Sequence, residues 1–144
     1  MVIYLFDFDN TIVKLPYKES LNYMDTDESL DPSLDFKIIE STKKDYKVAV
    51  KNNDGPIFIL SNRVVGVKEA LKNTLGVLGF KFDDLFLIDS EDRNKGNRVE
   101  KILNKYPECT NIRYWEDKDK HINSIEKTLS SYPEIVLDVI KTEL

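Results

Sequence analysis

Met1-Val2-Ile3-Tyr4-Leu5-Phe6-Asp7-Phe8-Asp9-Asn10-Thr11 is an apolar run that ends abruptly in two acids one residue apart, followed by a threonine. Its β-branched and aromatic content suits a strand buried on both faces, as in the middle of a parallel sheet. Open α/β sheets bind ligands beyond the carboxyl ends of their strands, which is where Asp7 and Asp9 fall. Residues two apart on a strand share a face, and a turn at this point would instead swing Asp9 round beside Asp7. Either way two acids share one small site. Like charges held together are costly unless a cation or a proton joins them, and a hard divalent cation such as Mg2+ removes that cost. The bland alternative is an acidic turn at a strand end.

The chain has 144 residues, 41% hydrophobic and 33% charged, with a net charge of −5. That is the length of about one domain, long enough to bury a core. No apolar run approaches the ~18 residues of a membrane helix, and acids interrupt the N-terminal run, so it does not read as a secretory signal. A cytoplasmic protein that uses no membrane is the expectation. Cys109 is the single cysteine, so neither an intrachain disulfide nor a cysteine metal site is available. No base pairs locally with Cys109 to make it a nucleophile. The acidic balance argues against bulk electrostatic binding of nucleic acid and leaves room for a local basic rim.

Later strands repeat the pattern. Ile57-Phe58-Ile59-Leu60 is a second buried run, ending in Ser61-Asn62-Arg63 ahead of a helical pattern through Val64, Val67, Leu71, Leu75 and Leu78 to Gly79. Ser61 and nearby backbone N–H groups at a helix N-terminus would hold phosphate oxygens; a plain N-cap is the alternative. Arg63 contacts substrate phosphate or is a solvated charge. Asp84 to Ile88 is a third strand, followed by a charged loop and a helix that Pro107 ends. Asn111 to Asp117 is a fourth, closing on the adjacent acids Glu116 and Asp117, with His121 one helical turn further on. Adjacent strand residues point opposite ways, so the two acids do not share one direction. Tyr132 to Ile140 reads as a fifth strand at the sheet edge.

Asp7-Phe8-Asp9-Asn10-Thr11 resembles the DxDxT motif of the haloacid dehalogenase (HAD) superfamily, most of whose members are Mg2+-dependent phosphatases. Ser61, a basic residue at the start of the helix after the third strand and the acids 116–117 follow in that family's order. Lys95 matches the basic position best, with Arg98 and Arg93 as fallbacks. The string from Tyr114 to His121 resembles the small branch of Swiss Army Knife RNA-repair-like and phage proteins, although Lys118 stands where that pattern has arginine. The resemblance implies an α/β Rossmann-like three-layer α/β/α sandwich with a mainly parallel sheet of about five strands. It also implies a single domain over 1–144, with a small or absent cap inserted at about 14–53.

The implied chemistry is phosphomonoester hydrolysis through an aspartyl phosphate on Asp7, with Asp9 as general acid and base and Ser61 and Lys95 as further catalytic residues. Thr11, Asn62, Arg63 and His121 would contact substrate, and Asp7, Asp9 (through its backbone carbonyl), Asp117 and Glu116 would serve Mg2+, with Asp117 favoured as the direct ligand of the adjacent pair and Glu116 behind it or bound through water. The branch resemblance points to a phosphate at a polynucleotide end. A nucleotide or other small phosphomonoester is the rival substrate, and a non-catalytic Mg2+- and phosphate-binding module is the rival function. No obligate protein partner is evident.

Overall fold

The computed structural model describes residues 1–143. In chain order the elements are β1 (Val2–Phe6), β2 (Val13–Lys14), α1 (Leu21–Met24), β3 (Lys37–Ile38), α2 (Glu40–Asn52), β4 (Ile57–Val64), α3 (Lys68–Val77), β5 (Asp84–Ile88), α4 (Lys95–Lys105), β6 (Asn111–Glu116), α5 (Asp119–Leu129) and β7 (Val136–Lys141). Short 3-10 turns cover Asp27–Leu30 and Val65–Val67. Among the described residues no helix is long and apolar enough to cross a membrane.

The five main strands form one sheet in the order β5-β4-β1-β6-β7, and every neighbouring pair is parallel. The N-terminal run is its central strand, paired with β4 through Phe6 and Ile59 and with β6 through Phe6 and Trp115. Alternation along β1 feeds two cores. Tyr4 and Phe6 join Tyr46 and Ala49 of α2 and Leu71 and Leu75 of α3 on one face. Ile3 and Leu5 join Val99, Ile102 and Leu103 of α4 and Ile122, Ile125 and Leu129 of α5 on the other. Two helices therefore cover each face of a parallel sheet, the arrangement in which strands are buried on both sides. After β5 the chain returns past β1 to lay down β6, so the strand order reverses at the carboxyl end of β1, where such sheets form their crevice.

Three sequence readings are refined. The strand read as Tyr132 to Ile140 begins at Val136, because Tyr132 to Ile135 close a turn in which the Tyr132 carbonyl accepts the Ile135 N–H. The segment 14–53, read as one insertion, divides. Residues 40–52 form α2 and lie in the sandwich. Residues 15–36 carry α1 and the first 3-10 turn between the two strands of the β2–β3 ribbon. Val64, read as the start of a helix, instead ends β4, whose pairing with β5 shifts register between Leu60 and Val64. A turn at Val65–Val67 and then α3 at Lys68 follow.

Two glycines sit at close approaches. A Cβ on Gly55 would lie 1.6 Å from the Val2 carbonyl oxygen, and one on Gly96 would lie 2.3 Å from Thr128 Oγ1 and 2.4 Å from the Ser124 carbonyl. Gly96 thus lets the first turn of α4 press against α5, which fixes the position of its neighbour Lys95.

Candidate active site

The β1 and β6 strand ends meet in register, and the Asp7 N–H donates to the Trp115 carbonyl at 3.0 Å. That contact sets Asp7 beside Glu116 and Asp117. Carboxylate oxygens of the three lie within 4.8 Å of one another. Beyond Asp7 the chain turns back on itself: the Phe8 carbonyl accepts the N–H groups of Thr11 and Ile12, and Asn10 takes a left-handed φ of 57°. Asn tolerates that region, and its Oδ1 accepts the Leu15 N–H at 3.1 Å. The turn places the Thr11 hydroxyl 3.0 Å from Asp7 Oδ2 and 3.5 Å from Asp117 Oδ1.

Lys95 enters from the opposite side. Its Nζ donates to Asp7 Oδ1 at 3.0 Å and to Glu116 Oε1 at 2.6 Å, with only 1% of the residue exposed. The Asn94 side chain caps α4 by accepting from Gly96 N at 2.8 Å. Of the three candidates for the basic position, Lys95 alone reaches the acids. Arg98 is turned to the β4 end, where it donates to the Ser61 carbonyl at 2.5 Å and to Asn62 Oδ1. Arg93 is exposed at the cleft mouth, its carbonyl accepting from Asn62 Nδ2.

One ammonium does not neutralise three carboxylates. Burial raises Asp7 well above the usual carboxylate range, and the charges of Glu116 and Asp117 add to the effect against Lys95. Burial and Glu116 likewise lift Asp117 to about 6. Glu116 goes the other way: burial pushes it up, yet Lys95 and its hydrogen bonds outweigh this and hold it at about 2. Those bonds include the Tyr114 hydroxyl on Oε1 and the N–H groups of Asp117 and Lys118 on Oε2. Glu116 is thus occupied on both oxygens by protein donors, whereas Asp117 keeps a carboxylate at the cleft.

The structure turns the Asp9 carboxylate away from this trio and into an ion pair with Arg63. Arg63 Nε donates to Asp9 Oδ2 at 3.1 Å and Nη2 to Asp9 Oδ1 at 2.7 Å. Its other N–H groups go to the Met24 carbonyl, Ser29 Oγ and the Tyr17 hydroxyl. All five guanidinium donors are used and the residue is 1% exposed. Both sequence readings of Arg63, phosphate contact and solvated charge, give way to this: the guanidinium is buried inside a cage that the 15–36 segment supplies. The Asp9 expectation as a metal ligand runs through its backbone carbonyl, on which this ion pair has no bearing.

Ser61 departs from expectation in its setting. Because β4 continues to Val64, Ser61 does not precede a helix N-terminus; its hydroxyl is fully buried and accepts from Arg63 N at 3.1 Å. Asn62 lines the cleft in its place. His121 also lines it, and burial, with the Lys95 charge, lowers its imidazole to about 4, so it is neutral at pH 7.

These groups open into a cleft of about 520 Å3. Its floor holds Asp7, Asp9, Lys95, Glu116 and Asp117; Glu19, Leu21 and Met24 form one wall, and Lys118, Lys120 and His121 another. The walls are tied by Lys118 Nζ on Glu19 Oε2 at 2.5 Å, while Asn10 Nδ2 donates to Glu19 Oε1 at 3.3 Å. Sequence reasoning missed Tyr17, Glu19 and Ser29. Their partners are far along the chain, and nothing local to them marks the contact.

No protein-family model matches the chain, and no curated protein matches it. Solved structures do. A chain of the Pnkp1/Rnl/Hen1 complex, an RNA repair complex, superimposes with a TM-score of 0.68 at 17% identity, over 98% of this chain and 45% of that one. The HAD domain of the effector protein Lem4 from Legionella pneumophila gives 0.66 at 18% identity, over 99% and 87%. A haloacid dehalogenase-like family hydrolase from Streptococcus pneumoniae gives 0.51 at 12%, over 97% and 94%. The present chain spans less than half of the repair-complex chain it matches. At these identities the likeness establishes the fold: the chain has the haloacid dehalogenase-like α/β/α fold.

Proposed function

We propose that this chain is a phosphomonoester hydrolase that works through an aspartyl phosphate on Asp7, with the phosphate at a polynucleotide end as its substrate. The observation that carries the reading is the buried Lys95 bridging Asp7 and Glu116, with Asp117 beside them at the floor of an open cleft.

An Asp7 oxygen attacks the phosphorus and the bond to the leaving oxygen breaks; for Asp9 to give that oxygen a proton, its carboxylate must leave the Arg63 guanidinium, which occupies both its oxygens here, and take up a proton before the attack. Water then attacks the acyl phosphate, Asp9 takes back a proton, and Asp7 and inorganic phosphate are released. Lys95 and the Thr11 hydroxyl hold the two Asp7 oxygens in place, and Lys95 stands where charge grows on the transferring group. Ser61, buried below the cleft with its hydroxyl accepting the Arg63 N–H, fixes the β4 end from which Asn62 reaches the cleft, and Asn62 and the neutral His121 meet substrate from the cleft wall. Three clustered carboxylates facing one ammonium are a hard-oxygen donor set with unbalanced negative charge, which fits Mg2+. Asp7, Asp117 and the Asp9 backbone carbonyl would hold it, with Glu116 behind them. When bound, the ion supplies Lewis-acid charge against the carboxylate and phosphate oxygens.

The open mouth and the likeness to an RNA repair complex support the polynucleotide end. The cleft volume supports a second reading, since 520 Å3 is the size of a small-molecule site and accommodates a free nucleotide. Phosphate release from nucleotides and from 3'- and 5'-phosphorylated oligonucleotides, with and without Mg2+, tests both. Release is expected to require Mg2+ and to fall by more than about 10^4-fold in Asp7→Asn. Equal rates in wild type and variant would sink the proposal, and the preferred substrate decides between the readings.

A further inference from the structure

Outside the cleft, the molecule concentrates lysine along one track. β2 and β3 set Lys14 directly opposite Lys37, both exposed. Like charges facing each other across strands destabilise a ribbon. α2 follows and carries Lys43, Lys47 and Lys51 at successive four-residue steps, with Lys44 beside them. Like charges at that spacing destabilise a helix. Thr42, Tyr46 and Ala49 face the core, so the lysine row lies on the outer side, along a shallow depression of about 370 Å3. None of these six lysines takes part in a salt bridge among the described residues. The two acids of α2 do little to offset them: Asp45 accepts the Trp115 indole N–H at 3.0 Å, and Glu40 alone stands at the head of the row. The chain as a whole is acidic, at −5, so this is a local inversion of charge.

Its placement is tied to the site. The β2–β3 ribbon grows directly out of the Asp9-to-Thr11 turn, and the Ile39 N–H donates to the Ile12 carbonyl at 2.8 Å. The far end of α2 lies toward the amino end of the central strand, away from the site, where Asn52 Nδ2 donates to the Tyr4 hydroxyl. Thirteen residues of helix extend the track about 20 Å from the ribbon.

We propose that the lysine track Lys14, Lys37, Lys43, Lys44, Lys47 and Lys51 is a docking surface for the sugar–phosphate backbone of a single-stranded nucleic acid whose terminal phosphate enters the cleft. A linear polyanion supplies the counter-charge that both like-charge arrangements lack, in the one dimension along which they are strung. The placement of the strand's end rests on the hydrolase reading; the track rests on its own charges.

Fluorescence anisotropy of a labelled single-stranded oligonucleotide, titrated at 50 to 200 mM salt, tests this with wild type, a Lys43→Gln/Lys47→Gln/Lys51→Gln protein and the corresponding triple arginine protein. Each phosphate neutralised on a single strand adds about 0.7 to the slope of log affinity against log salt, so the glutamine protein is expected to lose about 2 from that slope. Its affinity at 50 mM salt is expected to fall by at least about tenfold, and the arginine protein to retain both. An unchanged slope and affinity in the glutamine protein would overturn the proposal. So would an absence of oligonucleotide binding by wild type at 50 mM salt, or lysine-dependent binding to phosphatidylserine vesicles with none to the oligonucleotide. Because binding is read directly, the two readings fail separately. Lysine-dependent binding by a protein that releases no phosphate removes the hydrolase and keeps the track; hydrolysis with lysine-independent binding does the reverse.

Discussion

Replacing Arg63 with methionine keeps most of the side-chain volume and removes five N–H donors from a site with 1% exposure. The Asp9 carboxylate loses its bonds on both oxygens, and the Tyr17 hydroxyl, Ser29 Oγ and Met24 carbonyl each lose one. Breaking a buried ion pair by removing one partner costs about 3–5 kcal/mol. At about 2–4 °C per kcal/mol for a chain of this size, the melting temperature is expected to fall by about 6–20 °C. Lysine at the same position restores little, since a point ammonium cannot serve the planar fork that Asp9 accepts. Thermal unfolding followed by circular dichroism measures the loss, and Arg63→Met/Asp9→Leu completes the cycle. The double variant is expected to recover at least about 2 kcal/mol, because it no longer buries an unpaired carboxylate. An Arg63→Met protein that melts within about 2 °C of wild type would refute the cage.

Lys95→Met is expected to destabilise by about 3–5 kcal/mol by leaving Glu116 buried and unpaired, with at least half restored in Lys95→Met/Glu116→Gln; urea unfolding reads both. In metal-free protein, Asp117 binds its proton more tightly folded, at about 6, than at the ordinary 3.8, so its contribution to stability falls as pH rises from about 4 through 6. His121, folded at about 4 against the ordinary 6.5, works in the opposite sense and costs stability as pH falls below 6.5. Variants separate the two: Asp117→Asn is expected to gain about 1–2 kcal/mol over wild type at pH 7.5, after allowance for solvent screening, and nothing at pH 4. Denaturation in chelator at the two pH values checks it. Gly96→Ala must part α4 from α5 by more than a few tenths of an ångström, at an expected cost of about 1–3 kcal/mol; an unchanged unfolding midpoint would contradict that packing.

The central strand was legible because burial on both faces leaves no polar residue in Val2 to Phe6, and the end of that run fixes where a site must form. Lys95 came from the family resemblance, as the best placed of three basic residues, and Asp7, Glu116 and Asp117 stood out by their places at strand ends. The surroundings were not. Ser61 looked like a residue ahead of a helix because its apolar run stops there, yet β5 and the Arg98 guanidinium carry the strand on to Val64. Arg63 looked solvated because its counter-charge lies 54 residues away at Asp9, and its cage is supplied by residues of the polar 15–36 stretch. The apolar signal of α2 is sparse for a related reason: only its inner residues Thr42, Tyr46 and Ala49 are buried, and lysines crowd the rest of the helix.

The pairing of β1 also sets an order of events. Its two partners are residues 57–59 and 111–115, so the sheet grows by long-range contacts, which form slowly. During synthesis the five apolar residues of β1 emerge before both partners and stay without the second until residues 111–115 have followed. A nascent chain stalled short of β6 therefore exposes a bare, aggregation-prone strand edge. It also lacks Glu116 and Asp117, two of the three acids that crowd the finished site.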